Sequence, residues 1–180
     1  MPLRRLTLPA TRVAGSATTT QWNVSNGVAL SVYNCINTAN GGYYTAPVEL
    51  PLDCDVSYPI QLYQWVRNPT LLATSHRLIA FLTVISYVSP PDPVAQIIQD
   101  QFWATPDNWA QAAYARIRLV ADATPDDPSI PGNTLAPGSI IGVRSWRNGL
   151  TGGDTFEQNV QLLASLVMEY HVRCQTPGCC

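Results

Sequence analysis

The chain has 180 residues, 46% of them apolar and only 12% charged, with a formal net charge of −2. That length and apolar share suffice for one domain with a full core, and 15 prolines with 11 glycines argue against a helical bundle. All ten basic residues are arginines, scattered without a basic stripe, which argues against nucleic-acid binding as the main role.

In chain order, Met1 to Arg12 sets Leu3, Leu6 and Leu8 around Arg4 and Arg5 and reads as an N-terminal arm or an edge strand. Thr11 to Thr20 is small and polar, a loop or a flat strand. Gln21 to Val32 reads as a hairpin turning at Asn26-Gly27. Asn34 to Tyr44 is rich in Asn and Gly and reads as a loop. Pro47 to Asp53 is a short, edge-like segment between prolines. Tyr58 to Arg67 alternates as a strand, and Leu78 to Val88 is an apolar run that suits a strand buried on both faces. That run is too short for a membrane-spanning helix.

Val94, Ile97, Ile98 and Phe102 fall at helical spacing, with Asp92 as a cap and Pro93 in the first turn, so a short helix is expected near 94–102. Thr105 to Trp109 reads as a turn. Gln111 to Ala121 is a strand with Ile117 and Leu119 inward and Tyr114, Arg116 and Arg118 outward. Asp122 to Pro137 is a long loop. Two alternating segments close the chain. In the first, Ile141, Val143 and Ser145 share one face, and Gly142, Arg144 and Trp146 the other. In the second, Leu162, Ala164, Leu166, Met168, Tyr170 and Val172 share a face opposite Ser165, Glu169, His171 and Arg173. A loop through Asn148-Gly149 is expected to join them as neighbouring strands.

The pattern predicts an all-β fold: an antiparallel β-sandwich of jelly-roll type, with about eight strands and one short helix. Residues 13–173 would form the sandwich, 1–12 the arm or edge strand, and 174–180 a cysteine-containing tail.

The N-terminus carries charge with no apolar stretch behind it, so no secretory signal is expected and the sequon Asn23-Val24-Ser25 carries little weight. Of the five cysteines, Cys35 and Cys54 read as small buried hydrophobes. Cys174, Cys179 and Cys180 cluster in the tail, with only His171 near them as a further metal ligand.

Catalytic signals are weak. His76 and His171 both read as surface residues, and there is no Gly-x-Ser-x-Gly nucleophile elbow. Asp53 and Asp55 would share a strand face, as a carboxylate pair in glycoside hydrolysis must, yet Pro51 and Cys54 suggest a loop with solvated carboxylates. Asp122, Asp126 and Asp127 lack the spacing of a calcium loop. No catalytic residue, cofactor or metal is expected. Trp22, Trp65, Trp103, Trp109 and Trp146, with eight tyrosines, suit a sugar-binding face, a protein interface or core packing. Trp146 with Arg144 and Arg147 has the composition of an interface.

The closing stretch carries a resemblance. Leu135 to Arg147, then Asp154-Thr155-Phe156, then Asn159 to Leu163, then Glu169-Tyr170, resembles the end of a group of jelly-roll virion proteins of tailed bacteriophages. There, a strand of form apolar–Arg–aromatic–Arg precedes an Asp-Thr-aromatic turn and a double-Leu strand ending in an acidic-Tyr pair. Such proteins are similar to the trimeric cement, or head-decoration, proteins of phage capsids, notably of cyanophages. Related sandwiches occur in tails and fibres.

The resemblance implies a non-enzymatic protein assembled in the host cytoplasm onto the capsid surface. Its partners would be the major capsid protein and two further copies of itself, with no nucleic acid or membrane. Leu3, Arg4, Arg5, Leu6, Arg144, Trp146 and Arg147 are then the expected interface residues. The alternative is a tail-fibre or tail-tip module that binds a host-surface glycan. The Asp-Thr-aromatic turn has a physical reading: Asp154 and Thr155 bond the local backbone, and Phe156 pins the loop to the core.

Overall fold

The computed structural model describes residues 2–23, 29–36, 38–58, 60–67, 79–89, 96–104, 114–118 and 135–173. They contain eleven strands: β1 (Leu3–Gly15), β2 (Thr18–Asn23), β3 (Ala29–Cys35), β4 (Asn40–Thr45), β5 (Val48–Glu49), β6 (Gln61–Arg67), β7 (Ile79–Val88), β8 (Gln96–Ala104), β9 (Tyr114–Arg118), β10 (Ile140–Asn148) and β11 (Val160–His171). Every pairing between them is antiparallel.

The strands form a first and a second sheet that meet through β1. Residues 3–9 of β1 pair with β11 in the first sheet, and residues 10–15 pair with β4 in the second, with a register shift between Ala10 and Arg12. In the first sheet β11 is central. One of its edges bonds β6, which continues to β9; the other bonds β3 and then β1. In the second sheet β10 is central, with β7 and then β8 on one side and β4 and β5 on the other. Setting aside the β2–β3 hairpin and the two-residue β5 leaves eight strands, β1-β11-β6-β9 in one sheet and β4-β10-β7-β8 in the other. That order is a jelly roll. The β2–β3 hairpin widens the first sheet through β3, and its turn lies outside the described residues.

Three expectations are corrected. The helix expected near 94–102 is β8, paired along β7 from Tyr87↔Gln96 to Ile79↔Ala104; residues 94 and 95 lie outside the described set. Ile98 and Phe102 are four apart, a spacing that suits one face of a helix and of a strand alike, and the long apolar β7 supplies the partner that decides it. The loop read over Asn34 to Tyr44 contains β4. Finally, β10 and β11 are not neighbours; they are the central strands of opposite sheets, and the connection between them crosses the sandwich.

Of the two readings of the first twelve residues, an arm or an edge strand, the pairing matches the strand: Leu3 to Pro9 is hydrogen-bonded along β11, at one end of the first sheet. The tail at 174–180, His76, Trp109, Leu119 and Asp122 to Asp127 lie outside the described residues.

Alternation fills the core as the pattern requires. Phe81, Ile85, Tyr87, Ile141 and Val143 from the second sheet face Leu62, Val66, Leu162, Leu166 and Met168 from the first. Cys35 and Cys54 are fully buried free thiols, and burial pushes their pKa values up to about 12 and about 11.

A polar latch ties the two sheets together inside this core. The Tyr43 hydroxyl of β4 donates to Gln64 Oε1 of β6, and both residues are fully buried. Between Leu162 and Leu166, β11 bulges, so that two steps along β6 face four along β11. Gln64 Nε2 donates to the carbonyl of Leu163 at 3.0 Å within that bulge. Two extra residues preserve the period of two, so Leu162 and Leu166 both stay inside.

Candidate functional site

Two surfaces gather arginines, one on each sheet, and they differ in whether the charge is answered. On the outer face of the first sheet, Glu169 is almost completely buried and accepts from Arg5 at 2.6 Å and from Arg116. The Arg116 guanidinium lies 3.7 Å from the centre of the Tyr63 ring, and the Tyr63 hydroxyl donates to Gln61. Burial would raise the Glu169 pKa, but the hydrogen bonds and charges of Arg116 and Arg5 outweigh it and hold the carboxyl below its ordinary 4.5.

A depressed folded pKa gives stability that is complete above 4.5 and is lost as pH falls through the folded value. The Glu169→Gln variant is therefore expected to be less stable than the parent at pH 7, with the difference shrinking in urea melts below pH 4.5. An unchanged difference at low pH would remove Glu169 from the acid sensitivity.

On the outer face of the second sheet the arginines have no carboxylate partner among the described residues. Alternation along β10 turns Gly142, Arg144 and Trp146 outward and Ile141, Val143, Ser145 and Arg147 inward. Tyr44 stands opposite Arg144 on β4, and Arg12 opposite Tyr44 on β1. On the other side, Val84 faces Arg144 and Ser86 faces Gly142 from β7. The result is a stacked row. The Arg12 guanidinium lies 6.0 Å from the centre of the Tyr44 ring, that of Arg144 lies 5.2 Å from the same ring, and Arg144 also stacks directly on Trp146.

Because Gly142 carries no side chain, a hollow of about 320 Å³ opens beside the row, lined by Tyr44, Thr45, Val84, Ser86, Gly142 and Arg144. Burial pulls the Arg144 pKa below the ordinary arginine value, with the Tyr44 phenol opposing, and the group is still a cation at neutral pH. Arg144 Nε and Trp146 Nε1 are buried without a hydrogen-bond partner among the described residues.

The residues expected at an interface are thus divided. Arg144 and Trp146 share the outer face of the second sheet. Leu3 and Arg5 lie on the first sheet, where Leu3 is half exposed and Arg5 is paired to Glu169. Arg4 pairs with Asp53 at 2.8 Å, and Leu6 packs against the core.

Arg147 is fully buried, contrary to the expectation that it stands with Arg144 and Trp146 at the surface. Its Nε and Nη2 hold the two oxygens of buried Asp154 at 2.8 and 2.7 Å, and its remaining donors reach the carbonyls of Phe156 and Gln158. Asp154 also accepts from the backbone N–H groups of Ala80 and Phe156. The Asp-Thr-aromatic turn is therefore anchored to β10 and β7, with Phe156 in the core as expected. Sequence reasoning missed Tyr44, Arg12 and the hollow, because β4 was hidden in a Gly-rich stretch.

Asp53 and Asp55 form no catalytic pair. The first serves Arg4, and the second accepts from the backbone and hydroxyl of Ser57. His171 stacks on Tyr58 with ring centres 4.6 Å apart. Among the described residues no group of three or more His, Cys, Asp or Glu side chains is placed to hold a metal ion, and no helix is long and apolar enough to cross a membrane.

No protein-family model and no curated protein matches the chain. Among solved structures, one described as showing the promiscuous specificity of carbohydrate-binding modules of the β-sandwich superfamily overlays with a TM-score of 0.38 at 10% identity. The overlay covers 91% of this chain and 55% of that one, so the chain spans about half the length of the structure it matches.

Proposed function

We propose that the chain is a structural, non-enzymatic virion protein of a tailed phage, a decoration protein that binds the outer capsid surface as a homotrimer and stabilises the head. The observation that carries this reading is the outer face of the second sheet. There Arg12, Tyr44, Arg144 and Trp146 present the arginine and aromatic chemistry that dominates protein–protein contacts, with no acidic partner among the described residues.

The low charge of the chain supports the same reading, since wide neutral surface suits burial against other subunits. So does the likeness of its closing stretch to phage virion proteins. The mechanism is adhesion. Each copy adds a modest contact, and the symmetry of trimer and shell multiplies it.

The test is light scattering of the purified protein followed by mixing with empty capsids. The expected result is a trimer that coats capsids and raises their melting temperature. A trimer that ignores capsids and binds host-surface glycans would move the protein to a tail fibre or tail tip. Half-buried Tyr44 in the wall of the hollow, with half-buried Trp146 on the same face of the sheet, is the feature that favours this second reading. A monomer that binds neither would overturn both.

A further inference from the structure

We infer that the hollow on the second sheet is a receptor for a carboxylate, and that its occupant is an acidic side chain presented by an extended peptide segment of a protein partner. The inference rests on the adhesive role proposed above and names the chemistry of the contact.

Three observations converge on it. First, Arg12 and Arg144 flank one tyrosine ring, and neither has an ion pair among the described residues. Elsewhere in the same molecule the described arginines that meet buried groups are paired: buried Arg147 has Asp154, and the exposed Arg116 has the buried Glu169. A partly desolvated guanidinium without an anion is an unfavourable arrangement that a carboxylate relieves.

Second, Arg144 Nε and Trp146 Nε1 are shielded from water with no acceptor among the described residues, so this face carries two donors whose hydrogen bonds are unmade, the first of them on a residue that lines the hollow. Third, the hollow puts the hydroxyl-bearing, exposed Ser86 beside Arg144, while Val84 and the Tyr44 ring supply apolar wall for the methylenes of a glutamate.

The stacking also favours a carboxylate over a neutral sugar as the occupant of this hollow. A carbohydrate platform offers bare aromatic faces. Here Arg12 and Arg144 lie over Tyr44, and Arg144 lies over Trp146. The rings hold the guanidiniums in place, and the guanidiniums face the visitor. Of the acidic visitors, a peptide is favoured because the described charge is confined to one row on a broad half-buried sheet, as in a protein contact with a few anchoring groups.

The experiment titrates the full chain with a penta-glutamate peptide, following the Arg Nε–H and Trp Nε1–H signals by ¹⁵N NMR. The signals of Arg144 and Trp146 are expected to move, and the affinity to fall as salt rises. Two variants test the geometry. Arg144→Gln removes the cation. Gly142→Val fills the hollow, and a Cβ there meets nothing within 4 Å, so the sheet has room for it.

Both variants are expected to melt like the parent and to bind the peptide at least ~10-fold more weakly, which is the loss of one charge-assisted contact. Peptide binding that survives both changes, or no binding by the parent, overturns the inference. Binding of a polyuronate in place of the peptide overturns it in favour of an acidic glycan. Capsid binding retained by both variants would likewise defeat the inference while leaving the head-binding role intact. Peptide binding by a chain that ignores capsids would leave the receptor standing and remove that role.

Discussion

Replacing Arg147 with methionine is expected to lower the stability of the domain by about 3–5 kcal/mol, the cost of breaking a buried ion pair from one side. The Asp154 side chain is fully buried, and among the described residues its oxygens would keep only the N–H groups of Ala80 and Phe156. The carbonyls of Phe156 and Gln158 would lose their donors as well.

For a domain of this size the change corresponds to a drop in melting temperature of roughly 6–20 °C. The pair itself is not a large net source of stability, because burying both charges offsets much of their attraction. The double variant Arg147→Met with Asp154→Leu should therefore recover part of the loss. Thermal melts of the two single variants and the double variant give the coupling directly. Additive losses would mean that the two side chains do not act as a unit.

Gly42→Val should be nearly as damaging, with a loss of about 3 kcal/mol, at the upper end for forced overpacking. Gly42 of β4 faces Trp146 of β10 across the sheet, and a Cβ at Gly42 would run into the carbonyl oxygen of Ser145 and the backbone of Trp146. The neighbour is backbone, so rotation of a side chain cannot relieve the clash; β4 must move away from β10. The same movement would carry Tyr44 away from Arg144. Chemical denaturation measures the loss, and a midpoint equal to that of the parent would show that the two strands are not so close.

Much of the fold was legible because period-two alternation is a local property that burial then enforces. β6, β7, β10 and β11 fall where the pattern put them, with the inward sets near zero exposure. What stayed hidden depended on distant partners. β4 contains two adjacent glycines, which read as a loop until the closeness of β10 shows why no side chain fits. β8 carried a spacing that two periods share.

Arg147 is the instructive case for the site. Its parity along β10 placed it with Ile141, Val143 and Ser145, on the inner face. Its composition placed it with Arg144 and Trp146. Parity was the better guide, because a strand cannot turn two successive side chains to one side. The acid that makes an inward arginine tolerable stands only seven residues on, in the Asp154 of the connecting loop. The hollow itself was not legible. It needs Gly142, Tyr44 and Ser86 from three strands, and nothing local marks them as neighbours.

The place of β11 at the centre of the first sheet has a consequence for how the domain is made. It bonds β1, β3 and β6, and it follows all ten other strands in the chain. During synthesis residues 10–15 of β1 can pair with β4 early, but Leu3 to Pro9 have no correct partner until β11 exists, because Leu3 pairs with His171 and Pro9 with Ser165. The N-terminal half of β1 must wait as an open edge, next to the apolar face that β11 will later cover. Pairings this distant in sequence close slowly, in about milliseconds to seconds for comparable β folds. Stopping the chain before Val160 would remove the strand that joins β1, β3 and β6, leaving an aggregation-prone fragment in place of a smaller version of the fold.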